Sequence, residues 1–426
     1  MVLMHSLISQ CRSGLPPELA HLAVDEGISP DRMADAITRG TITIPANPRR
    51  SIRYSAIGEG CRVKVNVNIG TSAVRCDPAY EITKADAALR EGADTLMDLS
   101  TAGNLSEMRR QILELPVPVG TVPIYEAVRR AGSALDLTGD LLFSVIREQC
   151  RQGVDFMTLH CGVNLDALEA LRVDPRVLGV VSRGGVFHVA WMVATGEENP
   201  LYSEYDYLLE ILAEEDVTIS LGDGMRPGAL VDSGKLAKTT EYLTLGKLAR
   251  SALEAGVQRM IEGPGHIPIH QVAWNVKVIK EVTGDAPLYL LGPLVTDIAP
   301  GYDHVVSGIG GAIAAAAGAD FLCMVSPAEH LALPNEHDII EGTRVARIAA
   351  HTGDIVRRGG VHACPEEKAM ARARCDLDWE AQYAVSLFPE YARSIHDRDG
   401  EIETCSMCGD LCAVKMVRDI FEIQQK

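Results

Sequence analysis

Three cysteines near the C-terminus have a spacing suited to metal chemistry. Cys405, Cys408 and Cys412 form the pattern Cys-x2-Cys-x3-Cys. Three thiols in so short a loop cannot all pair as disulfides, because their number is odd and the loop is tight. They can, however, all turn towards one metal centre. The pattern therefore indicates a candidate metal-binding loop.

The number of ligands limits which metal this loop would hold. A structural zinc site takes four protein ligands, and no further Cys or His follows within the last 14 residues. A 4Fe-4S cluster also normally takes four thiolates, so three would leave one iron without a protein ligand. Such an iron can bind a small molecule, and the known use is reductive cleavage of S-adenosylmethionine. A zinc site with a distant fourth ligand and ordinary buried thiols are the alternatives.

Composition excludes some classes of protein. The chain of 426 residues is 47% hydrophobic, which is enough for one large domain with appendages or for two to three domains. A net charge of −18 argues against a non-specific nucleic-acid or anionic-membrane binder. The 11 cysteines form no regular framework, and we find no signal peptide and no long apolar run. We expect a cytoplasmic protein without a membrane span.

Short apolar runs alternate with amphipathic segments between residues 61 and 345, which we take as the catalytic domain. The runs are 63–68, 95–99, 119–125, 156–160, 177–182, 218–222, 259–262, 288–291 and 321–325. This alternation predicts parallel βα units, and about eight units predict an α/β fold with a closed (β/α)8 TIM-type barrel. Because we count nine runs, one must lie outside the barrel or be misread.

The regions on either side of the barrel have different patterns. Residues 1–60 predict a small N-terminal α/β region. Residues 346–426 predict a helical C-terminal domain that carries the cysteine loop. Within it, Pro365 opens what reads as one long helix reaching Phe388, and a final helix covers about 413–425.

Polar residues follow most of the apolar runs, where a barrel places its chemistry. Because the carboxyl ends of all barrel strands open on one face, we expect these side chains to share a site. The candidates are Asn68, Met97, Tyr125, His160, Ser182, Arg183, Gly184, Asp223, Gly224, Met225, Arg226, Glu262 and Tyr289.

His266 and His330 are the candidate ligands for a second metal. Each follows a tight loop at a strand end, and a neutral imidazole is a common ligand for divalent metals. Two protein ligands would leave positions open for substrate or water. A hydrogen-bonded core histidine is the alternative for each. His160 is a further candidate ligand, substrate contact or acid–base group.

Two glycine- and arginine-containing segments suit an anion. Residues 182–185 read Ser-Arg-Gly-Gly, and residues 223–226 read Asp-Gly-Met-Arg. Glycine lets backbone N–H groups approach a phosphate, and arginine adds a fork of donors. Residues 308–311, with three glycines, fit either an anion site or a structural turn, although the small-residue run 308–318 as a whole is typical of a packed helix.

Several segments together resemble the phosphomethylpyrimidine synthase (ThiC) superfamily from about residue 35 to the end. They are Asn66–Gly70, Gly92–Ser100, Thr121–Tyr125, Glu262–His266, Thr296–His304 and Pro327–Leu331. The resemblance implies an atypical radical S-adenosylmethionine enzyme with a barrel and a cluster-bearing tail. It also implies a homodimer whose substrate is 5-aminoimidazole ribotide, with flavodoxin or ferredoxin as electron donor.

The resemblance also assigns roles by position. The thirteen strand-end candidates above match the family's substrate contacts. Among them we take Glu262 and His160 as candidate catalytic groups, with Glu262 as acid–base or imidazole-holding group. His266 and His330 match its zinc ligands. Cys405, Cys408 and Cys412 match its 4Fe-4S ligands, although pyrimidine synthases typically space the last two cysteines by four residues rather than three.

Departures from the family pattern lead us to expect a particular product. They are Val67, Asn104, Cys161, His188, the segment 322–327 and the segment 230–242. A changed pocket resembles the BzaF-type 5-hydroxybenzimidazole synthases of anaerobic cobalamin biosynthesis. These convert the ribotide to 5-hydroxybenzimidazole and release 5′-deoxyadenosine, methionine and formate. The alternative is a pyrimidine synthase that makes hydroxymethylpyrimidine phosphate for thiamine.

Two other classes of protein remain open on the residues alone. A zinc-dependent hydrolase could use His266 and His330 on the same barrel and keep the cysteine tail as a structural element. A non-catalytic metal-binding module would not need so many polar groups at strand ends. Colour separates a radical enzyme with an iron–sulfur cluster from a zinc hydrolase, because an iron–sulfur protein is brown and a zinc hydrolase is colourless.

Overall fold

The computed structural model describes residues 6–400 and 403–424, which form two compact units. The first unit ends at Gly353 and the second begins at Asp354. The strands of the first unit are β1 Ile42–Thr43, β2 Ile57–Gly58, β3 Lys64–Ile69, β4 Thr95–Asp98, β5 Val119–Thr121, β6 Phe156–Leu159, β7 Thr218–Leu221, β8 Arg259–Glu262, β9 Leu288–Leu291 and β10 Phe321–Cys323.

Strands β3 to β10 form the predicted closed barrel. All neighbours are parallel and follow chain order, and the barrel closes where β10 pairs with β3, with Phe321 opposite Lys64. The four strand residues at 95–98 and at 218–221 are fully buried, as expected for strands covered by helices on one face and packed inside on the other. The fold is therefore the (β/α)8 barrel that the alternation predicted.

The ninth apolar run, 177–182, is not a strand. It is an extended loop in which the amides of Val177 and Leu178 donate to the carboxylate of Asp232 at 2.9 and 3.1 Å. Val177 and Leu178 are exposed, at 78% and 52%, whereas Val180 packs against the core. The loop leads directly into a helix that begins at Arg183.

Helices follow the barrel strands. They are α1 Leu7–Cys11, α2 Ala20–Asp25, α3 Pro30–Arg39, α4 Pro78–Arg90, α5 Leu105–Ile112, α6 Pro123–Ala131, α7 Gly139–Gln152, α8 Leu165–Val173, α9 Arg183–Thr195, α10 Pro200–Ser203, α11 Tyr205–Glu214, α12 Leu236–Glu254, α13 Ile269–Thr283, α14 Asp303–Ala317 and α15 Glu336–Arg357. Local signals fix their ends: Thr138 caps α7 by accepting from Leu141 N–H, and Gly153 ends it in the left-handed region.

The N-terminal region contacts the amino-terminal ends of the barrel strands. Lys64 at the start of β3 pairs with Glu26 at 2.8 Å, and both side chains are almost fully buried. The backbone N–H of Ile44 donates to Gln258, which precedes β8, and Asn47 N–H donates to Asp155, which precedes β6. These contacts leave the opposite, carboxyl-terminal ends of the strands for the site.

A repeated aspartate stabilises the barrel at its amino-terminal ends. Asp94, Asp155 and Asp320 each precede a strand, and each accepts the backbone N–H of the strand before it, at 2.8 to 2.9 Å. The three carboxylates are buried. The same contact therefore joins three pairs of neighbouring strands: β3 with β4, β5 with β6, and β9 with β10.

The second unit is helical and contains the cysteine loop. Its remaining helices are α16 Pro365–Asp376, α17 Trp379–Val385, α18 Pro389–His396 and α19 Ala413–Gln424. The single helix expected over 365–388 was wrong, because Leu377 takes a left-handed conformation and Asp378 caps a new helix by accepting from Ala381 N–H. Among the described residues we find no helix long and apolar enough to span a membrane.

Candidate functional site

A cavity of about 280 Å³ opens among the carboxyl-terminal ends of the barrel strands. Its lining contains Asn68, Met97, Leu99, Val122, Tyr125, Thr158, His160, Val181, Ser182, Arg183, Asp223, Arg226, Glu262, Tyr289, Leu291, Cys323 and Glu329. Of the thirteen predicted substrate contacts, Gly184, Gly224 and Met225 are absent from this lining. The structure thus brings the other predicted candidates into one site.

Glu262 at the end of β8 is held by two hydroxyl groups from neighbouring strands. Thr158 and Ser220 both donate to the same oxygen, Oε1, at 2.6 and 3.0 Å. Inward-facing strand positions supply both hydroxyls, and sequence analysis missed them because isolated Ser and Thr in strands carry no distinctive signal. These two contacts fix the direction of the carboxylate.

Asp223 and Arg226 form a buried ion pair next to Glu262. Arg226 Nη1 lies 2.9 Å from Asp223 Oδ1. Burial raises the pKa of Asp223 well above its ordinary value, while Arg226 lowers it and Glu262 raises it again. Burial lowers the pKa of Arg226, but Asp223 and Glu262 raise it more, so the guanidinium is charged. The charged Arg226 therefore lies beside two carboxyl groups, those of Asp223 and Glu262.

His160 at the end of β6 is enclosed and neutral. Its Nε2 lies 3.0 Å from Ser182 Oγ, while its Nδ1 is buried without a hydrogen-bond partner. Burial lowers the pKa of His160 well below its ordinary value, and His188 and Arg226 lower it further. A Cβ on Gly184 would lie 2.2 Å from the ring. Gly184 therefore contributes to the site because its lack of a side chain leaves room for the His160 ring.

The first turn of α9 contributes Arg183 to the cavity. Ser182 caps this helix by accepting from Gly185 N–H at 3.1 Å, and the Arg183 guanidinium lies 5.1 Å from the centre of the Tyr125 ring. Burial raises the pKa of Tyr125, whereas the cations Arg183 and Arg226 both lower it. A helix N-terminus with an arginine is a suitable place for an anion.

The opposite wall carries amide, phenol and thiol groups. Asn66 Nδ2 donates to Asn68 Oδ1 and to the hydroxyl of Tyr289, both at 2.8 Å. Asn68 Nδ2 donates to Cys323 Sγ at 3.1 Å. The Tyr289 ring stacks on Phe321 with centres 4.3 Å apart. Cys323 was predicted only as part of the departing segment 322–327 and not as a site residue; it ends β10.

Gly224 and Met225 shape the loop beneath the cavity through their backbone. Met225 N–H donates to Glu241 at 2.9 Å, and its carbonyl accepts from Arg176 at 2.6 Å. A Cβ on Gly224 would lie 2.1 Å from Val163. Glu241 belongs to α12, and nothing in the sequence pattern marked this buried acid as a support of the loop.

The proposed anion site at 308–311 is not a loop. These residues lie inside α14, and a Cβ on Gly310 would lie 1.9 Å from the carbonyl oxygen of Pro293. The glycines allow α14 to pack closely against the chain at 292–295. The anion-site interpretation was therefore wrong, because the glycines serve helix packing.

His266 and His330 lie next to each other, with ring centres 5.3 Å apart. Asp297 Oδ1 is 2.8 Å from His266 Nδ1, and Asp303 Oδ1 is 3.4 Å from His330 Nδ1. A carboxylate on one ring nitrogen leaves the other nitrogen for a metal, as in many histidine metal sites. The residues therefore fit a divalent metal that takes its remaining ligands from elsewhere.

The cysteine loop lies in the second unit, and its three thiols are free. Cys408 N–H and Gly409 N–H both donate to the carbonyl of Cys405, which makes the turn tight. Backbone and thiol hydrogen bonds from Cys408 lower the pKa of Cys405. Within residues 6–400 and 403–424, no three Cys, His, Asp or Glu side chains already converge as a complete metal site. The donor set still fits a cluster with one free iron.

The departures from the family pattern lie mostly away from the cavity. Cys323, in the segment 322–327, belongs to its lining. Val67 is fully buried and alternates with two inward-facing asparagines, so it points to the outer face of β3. The other departing positions that the lining does not contain are Asn104, Cys161, His188, Met324 and residues 230–242. Among these departures, Cys323 alone lines the cavity.

Relatives of known name cover almost the whole chain. Phosphomethylpyrimidine synthase 2 of Methanosarcina barkeri is 49% identical over 421 residues, which is 98% of both chains. The phosphomethylpyrimidine synthase of Archaeoglobus fulgidus is 49% identical and covers 98% of this chain and 99% of its own. These names agree with the alternative and not with a BzaF-type enzyme. The expectation of 5-hydroxybenzimidazole synthesis was therefore wrong.

Two further comparisons concern fold and family. Dihydropteroate synthase of Xanthomonas albilineans, solved with 4-aminobenzoic acid, covers 74% of this chain and 99% of its own at 15% identity and a TM-score of 0.42. That similarity is too distant to bear on function. The model of the Radical SAM ThiC family, in contrast, matches residues 6–419. This chain belongs to the Radical SAM ThiC family.

Proposed function

We propose that the protein is a phosphomethylpyrimidine synthase that converts 5-aminoimidazole ribotide to hydroxymethylpyrimidine phosphate for thiamine biosynthesis. The observation that carries the proposal is a single cavity with two different ends. Arg183 at a helix N-terminus suits a phosphate, and Glu262, fixed by two hydroxyls, suits a polar ring. Full-length similarity to proteins of this name supports the same choice of product.

The phosphate end rests on α9. The first-turn amides of a helix point towards its N-terminus, and Arg183 adds a guanidinium that can bind two phosphate oxygens. Arg226 is also charged, but its bond to Asp223 at 2.9 Å directs it towards the carboxyl groups. We therefore assign phosphate binding mainly to Arg183. Arg226 instead provides a positive charge beside the carboxyl groups that face the substrate's imidazole ring.

The ring end rests on Glu262, Asp223 and His160. Thr158 and Ser220 fix the direction of the Glu262 carboxylate, which bonds the aminoimidazole and serves as the acid–base group while the ring is rebuilt. Neutral His160 and Ser182, whose side chains lie 3.0 Å apart, form the wall beside it. Asn68, Met97, Tyr125 and Tyr289 close the walls and exclude water.

Family membership implies S-adenosylmethionine and an iron–sulfur cluster as cofactors. We propose that Cys405, Cys408 and Cys412 hold a 4Fe-4S cluster. When bound, the cluster and S-adenosylmethionine supply one-electron cleavage of the sulfonium and hydrogen abstraction from the substrate. The barrel residues hold the ribotide in one orientation so that a reactive species acts on one position.

We also propose zinc at His266 and His330, where the paired carboxylates orient both rings. Replacing His266 by Ala should lower the zinc content per chain, measured by mass spectrometry of the metal. The exposed His270 provides the control, and an unchanged zinc content in His266→Ala would refute the site.

A homodimer and electron supply by flavodoxin or ferredoxin complete the proposal, and both rest on the family resemblance. Sedimentation of the purified protein tests the first. Replacement of a chemical reductant by each reduced donor protein tests the second.

The reaction class can be tested by the release of 5′-deoxyadenosine. Anaerobically reconstituted protein should release it from S-adenosylmethionine only when the ribotide and a reductant are present. Cys412→Ala should abolish the release, and Cys375→Ala, at an exposed cysteine outside the loop, should not. Equal release from the two variants, or none from wild type, would favour a hydrolase or another chemistry.

A further inference from the structure

Two buried imidazoles lie close together behind the cavity wall. His160 and His188 have ring centres 6.3 Å apart at an interplanar angle of 47°. Their exposed fractions are 3% and 1%. His160 Nδ1 and His188 Nε2 are both buried without a hydrogen-bond partner. His188 does not line the cavity, so it has no direct role in binding the substrate.

Helix α9 places His188 on the same side as the glycine that faces His160. Gly184 and His188 are four residues apart in this helix, so they lie one above the other on one face. A Cβ on Gly184 would lie 2.2 Å from His160 Cε1 and 2.5 Å from Nδ1. The unpartnered Nδ1 edge of His160 therefore faces the side of α9 that carries His188.

Both nitrogens need a partner, and a direct bond between the rings is not formed. Burial lowers the pKa of His188 to about 3, and His160 is neutral for the same reason, so each ring has one donor and one acceptor. Buried polar atoms of this kind are commonly satisfied by an ordered water. Two nitrogens joined through one water lie about 5 Å apart, which the ring separation allows.

We propose that His188 is a positioning residue that holds His160 through one bound water between His160 Nδ1 and His188 Nε2. This contact, together with Ser182 on Nε2, restrains both edges of the His160 ring. The inference rests on the proposed function only in taking the His160 cavity as the ribotide site. It adds a residue that acts on substrate orientation from outside that cavity.

A crystal structure of the wild-type protein tests the contact without any assay of activity. We expect an ordered water within about 3.2 Å of both His160 Nδ1 and His188 Nε2. The proposal is overturned if the two nitrogens share no water or if either bonds to another protein atom. This result stands whether or not the protein makes the pyrimidine.

Kinetics of three variants test the consequence for the site. His188→Gln keeps a polar atom at the ε position, whereas His188→Asn moves it back by one atom and His188→Leu removes it. We expect kcat/KM for the ribotide to fall by about five- to tenfold in the Leu and Asn variants and to be largely restored in the Gln variant. The absorbance of the cluster, measured without ribotide, should be the same in all three variants and in wild type.

The pattern across the variants separates positioning from packing. If His188→Leu and His188→Gln lower kcat/KM equally while their melting temperatures match that of wild type, His188 does not act through its ε nitrogen and the proposal fails. If His188→Leu does not fold, the comparison of His188→Gln with His188→Asn decides in the same way. An inactive wild type would instead count against the proposed function.

Discussion

At the scale of single residues, the site depends on side chains whose direction is fixed by neighbours. Glu262 has one oxygen held by Thr158 and Ser220, which sets the direction of its carboxylate. Sequence analysis found Glu262 because it ends a strand before Gly-Pro-Gly. It did not find the two hydroxyls, because a strand position reveals its inward direction only once the barrel register is known.

Replacing Glu262 by Gln tests its charge with little change in shape. The amide oxygen can still accept from Thr158 and Ser220, so folding should be retained. Loss of the acid–base group should lower kcat by about 10²-fold or more. Turnover of the ribotide and the melting temperature should be measured for this variant and for Glu169→Gln, an exposed control. Wild-type kcat in Glu262→Gln would contradict the assigned role.

Arg183 should account for recognition of the phosphate. Wild-type protein should bind the ribotide more tightly than the dephosphorylated riboside, because guanidinium and helix N-terminus both bind the phosphate. In Arg183→Ala the preference should fall about tenfold or more, while riboside affinity changes little. Calorimetric titration of both ligands measures the difference, and an unchanged preference would place the phosphate elsewhere.

At the scale of elements, α9 joins the phosphate end to His160 through its first turn. Gly184 has no room for a side chain, since a Cβ would lie 2.2 Å from the imidazole. The polar first turn of α9 was predicted as part of the site, but the segment before it was not predicted as a loop. The apolar run before it resembled a strand, and only its contacts with Asp232 and its exposure identify 177–182 as a loop.

Gly184→Ala tests this close packing. The new methyl group must displace the His160 ring, so we expect ribotide turnover to fall about tenfold or more without loss of the fold. Gly234→Ala is the matched control, because its Cβ would meet no atom within 4 Å and its backbone is not left-handed. Equal turnover in the two variants would show that the ring position does not matter.

At the scale of the whole molecule, the amino-terminal ends of the strands provide stability and the carboxyl-terminal ends provide chemistry. The barrel and its polar strand ends could be predicted because apolar runs and helical segments alternate at regular spacing. The product could not, because departures such as Val67 and His188 do not line the cavity. Nor could the break at Leu377, where only the left-handed backbone shows that one helix ends.

The Lys64–Glu26 pair should contribute strongly to stability. Lys64→Met leaves Glu26 buried without its cation, and we expect the free energy of unfolding to fall by about 3–5 kcal/mol. Arg110→Met breaks exposed pairs with Glu107 and Glu114 and should shift the urea midpoint far less, because water screens exposed charges. Urea denaturation of both variants measures the contrast. Equal midpoints would mean that the buried pair does not stabilise the fold.

The most direct test of the proposed function is the product of one anaerobic turnover. Reconstituted protein, 5-aminoimidazole ribotide, S-adenosylmethionine and a reductant are combined, and the products are identified by mass spectrometry. The proposed function predicts hydroxymethylpyrimidine phosphate formed together with 5′-deoxyadenosine. Formation of 5-hydroxybenzimidazole, or release of 5′-deoxyadenosine with the ribotide unchanged, would contradict it.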